Sequence, residues 1–229
     1  MGNRLALPPL YVILDAALLP SDPFELTKKM LDAGARLFQY RDKTSSSREL
    51  LHASQALCLA VRQHGGIFFV NDRADISRLA GASGVHLGQN DLNVAAAREV
   101  LGTSCLIGLS THNLPQFEAA EESGADYIAV GPIFSTSGKS NPDPVVGVDF
   151  IRAVRKLTSK PIVAIGGITA ERAREVIEAG ADSVAVISDI LKAKNPVDRV
   201  RQYLKVIPAA AQPAGNEATR LWLKLRPLP

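Results

Sequence analysis

Short apolar runs alternate with amphipathic stretches along most of the chain. Leu10-Tyr11-Val12-Ile13-Leu14 reads as a strand. Phe24 to Ala33 has helical spacing and meets Gly34, a fitting C-terminal cap. The same alternation predicts strands around Leu37 to Tyr40, Ile67 to Val70, Val85 to Leu87, Leu106 to Leu109, Tyr127 to Val130, Ile162 to Ile165 and Ser183 to Ile187. Between them lie helical patterns, the longest from Ser47 to His64 and the last from Val197 to Val206. Strands that are apolar at nearly every position are buried on both faces, as in a parallel sheet.

A phrase recurs where a helix should stop and a strand begin: Ala33-Gly34-Ala35, Ser123-Gly124-Ala125 and Ala179-Gly180-Ala181. It marks the αβ turn of a repeated βα unit. About eight such units make a single (β/α)8 barrel. An open doubly wound sheet would need a glycine-rich first turn, and Asp15 to Asp22 contains no glycine. The domain reading is therefore a barrel over residues 1–207 with a flexible extension over 208–229, where Pro208 to Thr219 has no periodicity. Leu221-Trp222-Leu223 either folds back or packs on a neighbouring chain, which leaves a homo-oligomer open.

Composition narrows the class. Of 229 residues, 46% are hydrophobic and 21% charged, as in an ordinary globular protein. A net charge of +3 is too small to make nucleic acid the main partner. Two cysteines, Cys58 and Cys105, cannot build a disulfide framework, and no apolar run reaches membrane-spanning length. With no secretory signal pattern at the N-terminus, the reading is a cytoplasmic protein without a membrane partner.

In such a barrel the chemistry sits at the C-terminal ends of the strands, and the polar residues gather there. Gln39-Tyr40-Arg41-Asp42-Lys43 offers two cations that suit phosphate oxygens. Asp72 and Asp91 follow neighbouring strands and suit Mg²⁺, which takes a few carboxylates and keeps water and phosphate ligands. Each is also a reasonable helix cap, and the cations could equally be a solvated loop. Asn71 could donate to a ligand or cap a turn. Ser135-Thr136-Ser137-Gly138-Lys139 combines hydroxyls, a glycine and a lysine, which suits an anion. Gly166-Gly167 and Ser188 follow the seventh and eighth strands, where barrels often bind phosphate through backbone N–H groups. His86 reads as a hydrogen-bonded interior residue, and His112 stands at the rim. No Ser-His-Asp arrangement emerges.

Taken together, Gln39-Tyr40-Arg41-Asp42-Lys43, Val70-Asn71-Asp72-Arg73, Gly84 to Asp91, Gly108 to His112, Val130 to Phe134, Ala164 to Ile168 and Val186-Ile187-Ser188 resemble thiamine phosphate synthase. The motifs occur in the family's order over roughly residues 10–206. The resemblance implies a transferase of thiamine biosynthesis that condenses hydroxymethylpyrimidine diphosphate with thiazole phosphate and releases diphosphate. It implies pyrimidine diphosphate contacts at Gln39, Arg41, Lys43, Asn71 and Ser110, with Tyr40 and Asp42 in the same block. It implies Mg²⁺ ligands at Asp72 and Asp91. Thiazole phosphate would meet Thr136, Gly167, Ile187 and Ser188, beside Ser137 and Gly138. Arg41, Lys43 and Lys139 would neutralise the leaving diphosphate. Gly138 stands where the family's loop usually carries a second threonine. Two relatives on the same barrel offer other readings: a thiazole tautomerase, which needs no Mg²⁺, and a non-catalytic thiazole or thiamine phosphate binding protein.

Overall fold

The computed structural model describes residues 5–136 and 143–208. The expectations for Ser137, Gly138 and Lys139, and for the extension beyond Pro208, lie outside the described residues.

Eight parallel strands close into a barrel in sequence order. They are β1 (Leu10–Asp15), β2 (Leu37–Arg41), β3 (Ile67–Asn71), β4 (Gly84–Leu87), β5 (Leu106–Thr111), β6 (Tyr127–Val130), β7 (Ile162–Ile165) and β8 (Ser183–Val186). Between them run α1 (Pro23–Asp32), α2 (Ser47–Gln63), α3 (Ala74–Leu79), α4 (Val94–Leu101), α5 (Leu114–Glu122), α6 (Gly147–Arg155) and α7 (Ala170–Glu178). After β8 come a short α8 (Ser188–Leu191) and then α9 (Pro196–Val206). The (β/α)8 reading of the sequence therefore holds. A 3₁₀ turn at Ala16–Leu18 and helix α8 had no pattern long enough to announce them.

The alternation of strand side chains builds two cores. Leu10, Val12, Leu14, Phe38 and Val70 point outward and pack under the helices. Tyr11, Ile13, Leu37, Ile67, Phe69, Tyr127, Ala129, Val163 and Ala185 fill the lumen, with Leu7 among them. Strands β1 to β3 run one residue past their apolar runs, to Asp15, Arg41 and Asn71, because the ladder continues there: Asp15 pairs with Arg41, and Asn71 with His86. The side chains at those positions turn toward the mouth.

The opposite end is clamped by two similar devices. Asp126 Oδ2 accepts from the Ile107 N–H and from Arg98 of α4, both at 2.7 Å. Asp182 Oδ2 accepts from the Ile162 N–H at 2.8 Å and from Arg155 of α6 at 2.7 Å. In each, an aspartate just after the Gly-Ala turn satisfies a strand N–H and receives an arginine from a helix. Two of the three recurring Gly-Ala turns carry this clamp. No helix among the described residues is long and apolar enough to cross a membrane.

One glycine is fixed by contact. The Tyr127 ring lies across Gly108 of β5 so closely that an added Cβ would sit 2.0 Å from Tyr127 Cζ. Overpacking of this kind costs about 1–3 kcal/mol, and backbone at the barrel wall cannot retreat. Gly108→Ala should lie at the upper end of that range in urea or guanidinium unfolding; a wild-type midpoint would show that the ring moves freely.

Candidate active site

The C-terminal ends of the strands form one mouth. Arg41, at the end of β2, is half-buried, and its guanidinium forms a short ion pair with the Asp15 carboxylate at the end of β1. The strand register sets this pair opposite one another. Asp15 is buried and also accepts from the Ala17 N–H at 3.1 Å. A held guanidinium loses less freedom on meeting an anion. Asp15 was missed in the sequence, although it ends a strand at the same rim.

Lys43, Asp72 and Asp91 form the second group. Lys43 Nζ lies 3.1 Å from Asp72 Oδ2. Burial, and then a hydrogen bond shared with the Asp91 carboxyl, raise Asp72 above the usual carboxylate range against the pull of Lys43. Asp72 is the one described non-glycine residue with positive φ, at 60°, in a region that Asp and Asn tolerate best. Its N–H donates to the His86 carbonyl at 2.8 Å, which fixes the turn. Asp91 returns toward it by accepting from the Gly88 N–H at 2.7 Å. Two carboxyls brought together next to one lysine are a poor arrangement alone and a good one around a cation. Among the described residues no set of three or more His, Cys, Asp or Glu side chains could hold a metal. A hard cation keeping water and phosphate ligands needs only the pair.

The motif Gln39 to Lys43 divides. Gln39 is buried below the mouth, and its Nε2 donates to Tyr11 Oη at 2.9 Å. Tyr40 faces the outer core; burial raises its phenol to about 12. Its hydroxyl donates to Asp42 at 3.2 Å. Asp42 is occupied in turn, accepting from the Thr44 N–H at 2.9 Å and the Ser45 N–H at 3.0 Å. Despite some desolvation, those hydrogen bonds hold its carboxyl well below the usual range. The structure thus brings Arg41 and Lys43 to the mouth, and sets Tyr40 and Asp42 to shaping the loop that carries Lys43.

A hydrogen-bonded chain floors the mouth. Tyr11 and Tyr127 hydroxyls meet at 3.2 Å across the lumen. Tyr127 Oη lies 2.8 Å from His86 Nδ1, and His86 Nε2 lies 2.8 Å from Ser110 Oγ. The His86 and Tyr127 rings stack with centroids 5.6 Å apart. Desolvation by these neighbours pushes His86 down to about 4, so the imidazole is neutral. Asn71 and Ser110 are half-buried at the same level, and Gln89 donates to the Ser110 carbonyl at 2.6 Å. Tyr11 and Tyr127 were not singled out in the sequence; their inward places on apolar strands were the available signal.

The other half of the rim is backbone. Gly166 and Gly167 have φ of 101° and 62°. A Cβ on Gly167 would lie 2.5 Å from the Ser135 carbonyl. The segment after β6 runs beside them: the Ile133 N–H donates to the Ile165 carbonyl at 2.9 Å and the Phe134 N–H to the Gly166 carbonyl at 3.0 Å. Thr136 is half-buried at the end of this run. Ile187 packs on the lumen core and precedes the exposed Ser188. Helix α9 buttresses both turns: Tyr203 Oη lies 2.7 Å from Asp189 Oδ2 and 2.9 Å from the Ile168 carbonyl, with one proton for the two acceptors. Arg199 Nε adds a bond to Asp189 at 2.8 Å. At the rim, His112 Nδ1 lies 2.7 Å from the Gly131 carbonyl, so this ring is tied to backbone.

Comparison with known proteins agrees over most of the chain. The family model described as thiamine monophosphate synthase matches residues 10–190. The thiamine-phosphate synthase of Koribacter versatilis is 48% identical over 212 residues, covering 90% of this chain and 99% of that one. That of Chlorobium phaeovibrioides is 43% identical over 189 residues, covering 82% and 89%. Among solved structures, the thiamine phosphate pyrophosphorylase from Pyrococcus furiosus superposes with a TM-score of 0.80 at 33% identity, covering 86% of this chain and 94% of that chain.

The neutral His86 makes stability depend on pH. Unfolded, the ring takes a proton below its ordinary pKa of 6.5; folded, it does so only near 4. The unfolded state therefore binds more protons between these values, and stability falls as pH drops through that window. Allowing for the ring's partial opening to the mouth, this residue should account for a loss on the order of 2 kcal/mol. Urea unfolding from pH 7 to 4 should show a shallower decline for His86→Gln than for wild type; parallel curves would contradict a neutral interior ring.

Proposed function

The chain belongs to the thiamine monophosphate synthase family and is a transferase of thiamine biosynthesis, and from this we propose how its mouth works. The substrates are hydroxymethylpyrimidine diphosphate and thiazole phosphate. The C–O bond to the diphosphate breaks, the aminopyrimidine delocalises the resulting cation, and the thiazole nitrogen attacks it. Thiamine phosphate and diphosphate leave. The observation that carries this reading is the cluster in which Lys43 lies 3.1 Å from an Asp72 carboxyl that shares a hydrogen bond with Asp91.

The work of the protein is electrostatic. Arg41, steadied by Asp15, and Lys43 receive the diphosphate, whose negative charge grows as the bond breaks. Asn71 and Ser110 orient the pyrimidine above Gln39. Asp72 and Asp91 hold Mg²⁺, which when bound offsets charge on the diphosphate oxygens. Lys139 completes the cationic set by its place in the motif. Across the mouth, Gly167, Ile187, Ser188 and Thr136, with Ser137 and Gly138 beyond it, bind the thiazole phosphate. Backbone N–H groups there grip the phosphate without adding a charge that would compete for the diphosphate. A protein nucleophile has no part in this scheme. Cys58 and Cys105, both buried and not joined in a disulfide, fit a cytoplasmic setting. The barrel would be the catalytic unit, with residues 208–229 an appendage.

One assay separates the readings of this barrel. Diphosphate release should need both substrates and Mg²⁺. Isomerisation of a thiazole without Mg²⁺ would favour a tautomerase, and binding without turnover a carrier.

Asp72→Asn and Asp91→Asn should each lower Mg²⁺-dependent turnover by about 10²-fold or more, the scale of losing a charge-stabilising group. Their melting temperatures should stay close to wild type, since Asn tolerates the positive φ and can still accept the Gly88 N–H. Near-normal rates at low Mg²⁺ would remove these residues from the metal site.

Lys139→Ala should chiefly lower kcat, on the order of 10²–10³-fold, because its charge matters as the diphosphate departs. Steady-state kinetics that showed only a raised thiazole KM would move Lys139 to the other half of the site.

A further inference from the structure

The hydrogen bonds beneath the mouth have a direction. The amide Nε2 of Gln39 can only donate, so Tyr11 Oη accepts at that contact. The Tyr11 proton then has the Tyr127 oxygen as its partner, 3.2 Å away. With its oxygen accepting there, Tyr127 must send its own proton to His86 Nδ1. Burial raises both phenols far above neutrality, so both keep a proton to pass on. A neutral ring that accepts at Nδ1 carries its proton on Nε2, and that nitrogen donates to Ser110 Oγ. Satisfying every buried hydroxyl leaves one arrangement, and in it Ser110 Oγ is an acceptor from below. Its own proton is therefore left to point elsewhere.

We propose that His86 is a positioning residue which, through Tyr11 and Tyr127, passes the donor polarity of the Gln39 amide to Ser110, committing the Ser110 hydroxyl to donate to an acceptor atom of the pyrimidine diphosphate. The ligand class follows from that polarity: a lone pair, on a ring nitrogen or a diphosphate oxygen, meets Ser110 better than an N–H does. The chain thus favours ligands by hydrogen-bond direction: with one Ser110 lone pair taken by the His86 Nε2–H, the hydroxyl proton is turned away from the chain and is met only by a ligand that brings an acceptor. It ties residues of five strands, β2, β1, β6, β4 and β5, into one unit. Its direction is laid down before any ligand arrives. The proposal rests on the reading of Ser110 as a pyrimidine contact, but its first step does not need a substrate.

The first measurement is nitrogen NMR of the full, ligand-free chain carrying isotope-labelled histidine, with the His86 signals identified by their loss in His86→Gln. At neutral pH, Nε2 should be protonated and Nδ1 bare. A proton on Nδ1, or an even mixture, would mean that the chain runs the other way or has no direction, and would overturn the proposal whatever the enzyme does. The second is kinetic. Tyr127→Phe keeps the stack on Gly108 but removes the donor to Nδ1, so His86 should become a mixture of tautomers. KM for the pyrimidine diphosphate should rise about fivefold, the worth of one neutral hydrogen bond, with kcat less affected. In a Ser110→Ala background the same substitution should change KM no further, since the effect travels through Ser110. A KM rise that adds fully to that of Ser110→Ala, or no rise in the single variant, would reduce the chain to packing. Failure of wild type to turn over would bear on the proposed reaction and leave the NMR result standing.

Discussion

Eight strands closed into a barrel leave a lumen that side chains must fill, and here the filling is partly polar. Tyr127 packs edge to face on both Tyr11 and Phe69, with its centroid 5.3 Å from that of Phe69, and is seated on Gly108. The phenols cannot be buried without partners, so they meet each other, Gln39 and His86. That requirement fixes the floor on which Arg41, Asn71 and Ser110 stand. A wholly aliphatic lumen would fill the same space but would leave those three on unconnected supports.

Above this floor the rim is divided by chemistry. Strands β1 to β4 supply charge: Asp15, Arg41, Lys43, Asp72 and Asp91 are joined by ion pairs and shared hydrogen bonds. The turns after β6 to β8 supply backbone, bent tightly at Gly166 and Gly167 against residues 132–135. In the proposed reaction a diphosphate departs from one substrate while the phosphate of the other stays in place, and such a division suits it. Side-chain charges can follow a growing negative charge, whereas backbone amides hold a constant one at fixed distance.

Much of this was legible in the sequence because it is local. Strand and helix patterns read correctly wherever apolar runs and glycine stops coincided, and the rim residues followed from the rule that active sites sit at strand C-termini. The block Gln39 to Lys43 was read as one patch, yet strand alternation turns Tyr40 outward and sends Gln39 and Arg41 inward. Asp42 lies beyond the strand, where loop N–H groups claim it. The Asp15–Arg41 pair and the Tyr11–Tyr127 contact were not legible, since they depend on register between strands; the two tyrosines are 116 residues apart. Local periodicity says which face a residue takes, but not which residue it will face.

The α9 buttress places a condition on how the site comes into being. Asp189 and the Ile168 carbonyl are held by Tyr203 and Arg199, late in the described chain and beyond the span matched by the family model. A ribosome releases the half of the mouth that carries Arg41 and Lys43 well before this brace. The turns at β7 and β8 thus acquire their support only after the strands they follow have emerged. A polypeptide that has emerged only as far as β8 already holds Arg41, Lys43, Asp72 and Asp91 but lacks the brace for the turns opposite them.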